Sequence, residues 1–450
     1  MTEKGTMKNK FIYVLLLLVC FFMTACQSGG KKTTPQKVLR KTDNVVLLLI
    51  DTLRADHLPF YGYHKDTAPF LSSLAEKSVI FERAFSTSST TAPSTASIFT
   101  SLYPSQHGVI TGYIATKRLA KKYQDKGIVL NAIPADFVTL GEVFKQAGYK
   151  TYSLADNMNI SREMGYDQGF DKFETFNYAG AEKINSVLKS WKSDLDNNGK
   201  YFLYLHYMDP HLPYHQRKPW YEETSDRLQK KINAYDSEIS YFDKHIAEMF
   251  DLYSWLENAT VIVVADHGEE FFEHGNYTHG KSLYREVLHV PLMIYHPDIT
   301  PHRVAQTVSL IDVLPTLADL CGFKQEKEWM GYTLVPAIFK DPLRERAIFS
   351  ELLRRPEMQE THTTFRSVIS DDLHFIESVY QGVKKEELFN LKTDFNEKKN
   401  IVTEDREVTA RLRGKLKALE DKKYEALHKE VNVNLDEEML NRLKTLGYVN

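Results

Sequence analysis

Three short apolar runs divide the chain, and each leads directly into polar residues. They begin at Asn44, Tyr201 and Ala259 and read NVVLLLID, YFLYLHYMDPH and ATVIVVADHGE. Each run is continuous, bounded by polar residues and too short for a buried helix, which is typical of strands covered on both faces. The pattern therefore predicts three central strands of a buried sheet.

The segments between these strands carry apolar residues at helical spacing, as in 68–77, 140–147 and 232–252. Strands that alternate with helices predict an α/β fold with a largely parallel sheet. Such sheets form their functional sites at the carboxyl ends of the strands. We assign this predicted catalytic domain to residues 43–342.

The pattern changes after Pro342, where short alternating stretches are separated by turn residues: 364–370, 373–379 and 387–391. They predict a small antiparallel sheet, which we assign to a subdomain at 343–402. Residues 403–450 are rich in charge, with apolar residues on one face of two helical stretches: Val408, Leu412, Leu416 and Leu419, then Leu435, Met439, Leu443 and Leu446. We predict a helical tail that packs on the body.

The N-terminus has the pattern of an export signal. Three lysines precede an apolar run from Phe11 to Met23, which is too short to span a bilayer. The run ends in Met23-Thr24-Ala25-Cys26, which resembles the lipobox of bacterial lipoproteins, with Met where Leu is usual. This predicts a lipoprotein signal peptide at 1–26, with lipidation of Cys26, and a polar linker at 27–42. The alternative is an ordinary cleaved signal peptide with an incidental cysteine.

Both interpretations place the protein outside the cytoplasm, and the lipobox places it in the cell envelope, lipid-anchored at the outer membrane or the cell surface. The 57 Lys and Arg residues nearly balance the 60 Asp and Glu residues, and the net charge of -3 provides no electrostatic footprint for nucleic acid. The three cysteines are too few for a disulfide framework. We therefore expect no nucleic-acid partner, and contact with a membrane through the anchor.

Candidate chemistry lies at the predicted strand ends. Asp51 closes the first strand, and Asp266 and His267 follow the third, while residues 86–97 form a hydroxyl-rich segment that contains Pro93. Carboxylates and an imidazole that converge are metal ligands by type. Each aspartate alone is weak evidence, because an Asp at a strand end is more often a turn or helix cap.

Five separated segments carry a stronger signal: IDTLRADHLPFYGYHKDTAPFLSSLAEKSVIFERAF, TTAPSTASIFTSLYPSQHGV, YMDPHLPY, ADHGEEFFEHGNYTHGKSLYREVLHVPLMI and ELFNLKTDFNEKKNIV. In this order they resemble the sulfatase family of the alkaline-phosphatase-like superfamily, over nearly all of the mature chain. The resemblance implies a large mixed, mostly parallel sheet between helices. It also implies a small C-terminal subdomain built on an antiparallel sheet.

The resemblance also implies one divalent metal ion, bound by Asp51, Asp266, His267 and the Thr91 oxygen. Thr52 stands where the family has a second early aspartate, so one carboxylate is missing. Sulfatases that hold calcium pair Asp with Asn at the later motif, whereas the Asp-His pair belongs with relatives that use manganese or zinc. We therefore favour Mn²⁺ or Zn²⁺, with Ca²⁺ or Mg²⁺ as alternatives.

The nucleophile motif departs from the family. Sulfatases read Cys or Ser, any residue, Pro, Ser, Arg, whereas this chain reads Thr91-Ala92-Pro93-Ser94-Thr95. A threonine cannot be converted to formylglycine, whose second hydroxyl expels sulfate, and Thr95 replaces the supporting arginine. A plain hydroxyl can attack phosphorus, so we predict Thr91 as the nucleophile of a phosphoester hydrolase or phosphoryl-group transferase, with phosphodiesters as the favoured substrates.

His211, His279 and Lys281 match positions that contact the transferred anion or the leaving group in the family. Their expected role is to neutralise charge and to protonate the leaving oxygen. The expected substrate is a small-molecule, lipid-headgroup or glycan ester. Two alternatives stay open: a sulfuric-ester hydrolase, and an inactive anion-binding lipoprotein.

The lipid anchor yields the first prediction. Cys26→Ser removes the thiol that would accept the diacylglycerol, so we expect this variant to leave the membrane fraction and appear as soluble protein. Cell fractionation followed by immunoblotting measures the change, and Cys20→Ser, within the apolar run, is the matched control. A Cys26→Ser protein that still fractionates with membranes would place the anchor elsewhere.

Overall fold

A computed structural model describes residues 42, 44–113, 131–197, 199–354 and 362–422. The predicted signal peptide with Cys26, nearly all of the linker and the second stretch of the helical tail lie outside these residues. Within the described part of the chain, no helix combines the length and apolar character needed to cross a membrane.

The strands, in chain order, are β1 Asn44–Ile50, β2 Ser78–Phe85, β3 Lys150–Ala155, β4 Lys172–Thr175, β5 Tyr201–Tyr207, β6 Ala259–Val264, β7 Glu270–Phe271, β8 Tyr277–Thr278, β9 His289–Val290, β10 Leu292–Tyr295, β11 His302–Ser309, β12 Ile348–Leu352, β13 Thr364–Ser370, β14 Leu373–Tyr380 and β15 Val383–Asn390. The three apolar runs form β1, β5 and β6, as predicted.

The helices are α1 Pro69–Ala75, α2 Thr91–Thr100, α3 Pro104–His107, α4 Leu140–Gln146, α5 Ala181–Ser190, α6 Lys192–Asn197, α7 Arg227–Tyr253, α8 Trp255–Asn258, α9 Arg285–Leu288, α10 Val313–Leu320, α11 Val335–Ile338 and α12 Arg406–Asp421. Short 3-10 helices occupy Ala55–His57, Pro59–Tyr61, Arg162–Met164 and Leu310–Asp312. The first helical stretch of the predicted tail is α12.

The large sheet has the order β11-β2-β10-β6-β1-β5-β3-β4, with β9 paired to β2. Strand β1 pairs in parallel with both β5 and β6, and β3 pairs in parallel with β5 and β4. Only β9 and β10 run against this direction among the described strands. All seven residues of β1 are buried, since the strand lies at the centre of the sheet. The predicted α/β fold with a mixed, mostly parallel sheet is confirmed.

A separate antiparallel sheet follows in the order β12-β13-β14-β15, which confirms the predicted C-terminal sheet. Two details differ from prediction. Strand β12 was not foreseen, and the last strand covers Val383–Asn390 rather than 387–391. Helix α12 covers this sheet, because its Leu412 and Leu416 share an apolar core with Val368, Phe375 and Leu388.

Strand β12 also contacts the loop that follows β2. Ser350 Oγ donates to Ser86 O at 2.6 Å, and Glu351 N donates to Thr87 O at 2.8 Å. Apolar residues of both parts of the chain form a shared cluster beside these bonds: Phe85, Leu283, Val287, Leu288, Ile348, Leu352, Ile369 and Leu391. The small sheet thus fixes the start of the hydroxyl-rich segment.

Candidate active site

The carboxyl edge of the large sheet gathers polar residues from adjacent strands. Asp51 follows β1, the pair Asp266-His267 follows β6, and Asn157 comes two residues after β3. Parallel pairing in register brings these strand ends together. Asp51, Asp266 and His267 are completely buried, so their polar atoms need partners inside the protein.

Backbone N–H groups orient Asp266. Its Oδ1 accepts hydrogen bonds from Thr52 N at 3.2 Å and His267 N at 2.9 Å, whereas its Oδ2 has no hydrogen-bond partner. Thr52 has a φ of 59°, a left-handed conformation that is costly for a β-branched residue. The residue in the place of the family's second aspartate therefore contributes its backbone N–H to the site.

Three oxygen atoms, from Asp51, Asp266 and Thr91, lie close to the Nε2 atom of His267. The Nδ1 atom lies 2.9 Å from Gly268 O and donates to it, so that Nε2 of the neutral ring carries a lone pair. This Nε2 lies 3.6 Å from Asp51 Oδ1, 3.5 Å from Asp266 Oδ2 and 3.3 Å from Thr91 Oγ1. Asp51 Oδ1, like Asp266 Oδ2, has no hydrogen-bond partner.

Buried carboxylate oxygens and an imidazole lone pair that face one another fit a cation. Burial raises the pKa of Asp266 to about 7 and lowers the pKa of His267 to about 4. A divalent ion would offset the cost of the buried carboxylates and accept the lone pair of the neutral imidazole. Asp51, Asp266, His267 and Thr91 are therefore residues of the types that would hold a divalent metal ion.

Thr91 is the first residue of α2, and its Oγ1 lies 3.4 Å from Asp51 Oδ2. Pro93 lies inside the first turn of this helix. Neighbouring hydroxyls have other partners: Ser94 Oγ donates to Asp266 O at 2.6 Å, and Thr90 Oγ1 lies 3.4 Å from Ser88 Oγ. Thr91 is therefore the hydroxyl of this turn that faces the ligand atoms.

His279 lies beside His267, with ring centroids 4.5 Å apart. Its Nδ1 lies 2.9 Å from Glu269 Oε1, and Tyr214 donates its hydroxyl to the other Glu269 oxygen at 2.7 Å. Burial alone would lower the pKa of His279, but the Glu269 carboxylate raises it above the usual histidine value. Glu269 thus favours the protonated form of His279, which lies beside the candidate ligand atoms.

His211 extends this row of imidazoles, with its ring centroid 5.0 Å from that of His279. Its Nδ1 lies 2.6 Å from Leu212 O and 3.2 Å from the hydroxyl of Tyr178. Burial lowers its pKa, which favours the neutral form of His211. Lys281, unlike His211 and His279, is exposed. Its Nζ donates a hydrogen bond to Tyr277 O.

Two protein-family models match the chain. A family model described as Sulfatase matches residues 43–323, and a model described as N-sulphoglucosamine sulphohydrolase, C-terminal, matches residues 272–422. The chain belongs to the sulfatase family. Members of the family hydrolyse or transfer sulfate and phosphate esters and bind a divalent metal ion.

Relatives of this sulfatase-family protein differ in chemistry. It is 23% identical to choline-sulfatase of Rhizobium meliloti (strain 1021) over 66% of the chain and 71% of that protein. It is 25% identical to phosphatidylethanolamine transferase Mcr-1 of Escherichia coli over 64% of the chain and 55% of that protein. A crystal structure of phosphonate monoester hydrolase of Agrobacterium radiobacter superimposes with a TM-score of 0.67 at 16% identity, over 85% of the chain and 96% of that structure.

Three polar residues of the sulfatase-family site were not foreseen in the sequence: Asn157, His206 and Glu269. Glu269 belongs to the quoted segment ADHGEE, where its adjacency to the metal pair was the available signal. Asn157 was noted only as part of a departure from arylsulfatases. His206 lies within the apolar run of β5, where a histidine is usually a satisfied core residue.

Four other polar residues have partners within the fold. Arg54 and Asp56 form an ion pair at 2.8 Å. His274 Nδ1 lies 2.6 Å from Glu286 Oε1, and His289 Nε2 lies 2.8 Å from Glu82 O. These contacts account for the four side chains without a role at the candidate site.

Removal of one carboxylate ligand tests the metal site. In Asp266→Ala, Oδ2 is lost, and the remaining ligands cannot balance the charge of the ion, so we expect loss of bound metal and activity with most of the fold retained. Metal analysis of the purified protein and circular dichroism measure the two effects. Full metal occupancy in Asp266→Ala would contradict the assignment.

The pKa of Asp266 yields a pH-dependence. Above pH 7 this carboxyl is already ionised in the metal-free protein, whereas below pH 7 the ion must displace its proton. We therefore expect the apparent metal affinity to be level above pH 7 and to fall about tenfold per pH unit below it. Competition with a chelator on both sides of pH 7 measures the affinity, and an affinity that does not change would show that Asp266 is not a ligand.

Proposed function

We propose that this sulfatase-family protein is a metal-dependent phosphoester hydrolase or phosphoryl-group transferase, acting on phosphodiesters, with Thr91 as its covalent nucleophile. The observation that carries the proposal is the position of Thr91 Oγ1, 3.4 Å from Asp51 Oδ2 and 3.3 Å from His267 Nε2. Similarity to Mcr-1, named as a phosphatidylethanolamine transferase, and to a phosphonate monoester hydrolase supports phosphorus chemistry.

When bound, a divalent cation supplies positive charge that favours ionisation of a hydroxyl and stabilises charge on the transferred group. Thr91 loses its proton to solvent, and its Oγ1 forms a bond to phosphorus as the bond to the leaving alcohol breaks. The position of Thr91 at the start of α2 also favours negative charge at this point, because the helix N-terminus carries a partial positive charge.

His279 supplies the proton that the leaving alcohol oxygen needs. Its Nδ1 is held by Glu269, so its Nε2 is the nitrogen left to donate. In the second step, water or another alcohol attacks the phosphothreonine, loses its proton to His279 and releases Thr91. Neutral His211 is next in the row of rings; its Nδ1 donates to Leu212 O, so its Nε2 can accept a hydrogen bond from the same group.

A sulfuric-ester hydrolase is the second candidate, since choline-sulfatase is a relative. The side chain at residue 91 argues against it, because threonine has one hydroxyl and cannot expel sulfate by collapse to an aldehyde. The third candidate, an inactive anion-binding lipoprotein, conflicts with the convergence of Asp51, Asp266, His267 and Thr91 on one point.

We propose a lipid-headgroup, glycan or other small-molecule ester as the substrate, and Mn²⁺ or Zn²⁺ as the ion, because the site includes an imidazole. We also propose that the protein lies in the cell envelope, anchored through Cys26. An anchored enzyme meets such esters at the membrane or in the wall beside it.

The nucleophile provides the sharpest test of this function. Thr91→Ala removes the attacking oxygen, so we expect the rate with aryl phosphodiesters to fall by several orders of magnitude, while metal binding is only weakened. Thr91→Ser keeps the hydroxyl and should retain measurable activity. Mass spectrometry of protein quenched during turnover should find a phosphate adduct on the peptide that contains Thr91.

Thr90→Ala is the matched control, because this neighbouring hydroxyl contacts Ser88 rather than the ligand atoms. It should retain activity and the adduct. An unmodified Thr91 peptide in active enzyme, or faster turnover of aryl sulfates than of phosphodiesters, would overturn the proposed function.

A further inference from the structure

His206 differs from the other buried histidines in its lack of partners. It lies in β5 with no solvent exposure, and neither ring nitrogen makes a hydrogen bond. By contrast, His57 pairs with Asp236 at 2.7 Å, and His289 contacts Glu82 O at 2.8 Å. An imidazole with both nitrogens unpaired in the core is costly, so its presence requires a physical reason.

The nearest charged group to His206 is Asp51. Its Nε2 lies 3.5 Å from Asp51 Oδ2, the oxygen that also accepts hydrogen bonds from Asn157 Nδ2 at 2.7 Å and from the Thr91 hydroxyl at 3.4 Å. The ligand-type atoms of Asp51, His206 and Asp266 all lie within 4.8 Å of one another. His206 therefore belongs to the metal site but approaches Asp51 on the Oδ2 side, whereas His267 Nε2 lies 3.6 Å from Oδ1.

The position of the ring proton follows from electrostatics. A neutral imidazole has one N–H group and one lone pair. If Nδ1 carried the proton, the Nε2 lone pair would face a carboxylate oxygen, and the N–H group would have no acceptor. With the proton on Nε2, the N–H group faces Asp51 Oδ2. Only Nδ1, a weaker acceptor, is then left without a hydrogen bond.

We infer that His206 is a positioning residue, which directs its Nε2–H group at Asp51 Oδ2 and, together with Asn157, holds this oxygen away from the ion. Asp51 then presents Oδ1, which has no partner of its own, to the cation. This restraint matters because Thr52 replaces one carboxylate, so the site depends on the orientation of the two that remain.

The inference rests on the metal site of the proposed function but not on the reaction, because ion binding is measured without substrate. Two substitutions separate the role of the N–H group from that of bulk. In His206→Gln the amide nitrogen can reach the place of Nε2 and donate to Asp51, whereas in His206→Asn the shorter side chain ends near the place of Nδ1. His289→Gln, a buried histidine outside the site, is the control.

The experiment measures Mn²⁺ affinity of the full-length protein by competition with a chelator. We expect His206→Asn to lose about tenfold to a hundredfold in affinity, as loss of an outer-sphere partner does, and His206→Gln to recover most of it. His289→Gln should bind Mn²⁺ like the wild type. Wild-type affinity in His206→Asn, with folding confirmed by circular dichroism, would overturn the inference.

A second measurement needs no variant that alters folding. Pulsed electron paramagnetic resonance of the Mn²⁺-loaded wild-type protein counts the imidazole nitrogens bound to the ion, and we expect one, from His267. Two bound nitrogens would make His206 a ligand itself and overturn the positioning role. Because both readouts report the ion alone, they stand even if no phosphoester is turned over and the proposed function fails.

Discussion

Three electron-pair donors, Asp51 Oδ1, Asp266 Oδ2 and His267 Nε2, meet at the carboxyl ends of β1 and β6 beside the Thr91 hydroxyl, and the polar interior around them keeps them there. The two carboxylate oxygens and the imidazole lone pair repel one another without a cation. Their other atoms are restrained by hydrogen bonds from Asn157, from two backbone N–H groups and to Gly268 O. The fold therefore holds these buried ligand-type atoms in an arrangement that is favourable only around a positive charge.

These hydrogen bonds explain why the site keeps its arrangement although Thr52 stands where the family has a second aspartate. The left-handed backbone of Thr52 aims its N–H group at Asp266, and its carbonyl oxygen accepts a hydrogen bond from Tyr235 at 2.7 Å. A lost carboxylate lowers the negative charge to be neutralised, and the remaining pair matches one divalent ion. Charge balance and geometry thus changed together.

The strand ends were predictable because continuous apolar runs reveal central strands, and central parallel strands place their last residues at one edge. Asp51, Asp266 and His267 followed from that rule, and Thr91, His211 and His279 from motif resemblance. His206 and strand β12 did not follow, since a histidine inside an apolar run looks like core, and β12 is short, with Ser and Glu at buried positions. The contact of Lys281 with the Tyr277 carbonyl, four residues earlier, is a local detail that the motif does not reveal.

The attachment of β12 to the loop after β2 also joins distant parts of the sequence. Ser350 and Glu351 fix the carbonyl groups of Ser86 and Thr87, and from there the chain runs to Thr91. The C-terminal sheet therefore helps to hold the segment that leads to Thr91. A chain without this sheet would lose these two contacts while it kept the strand ends of β1 and β6.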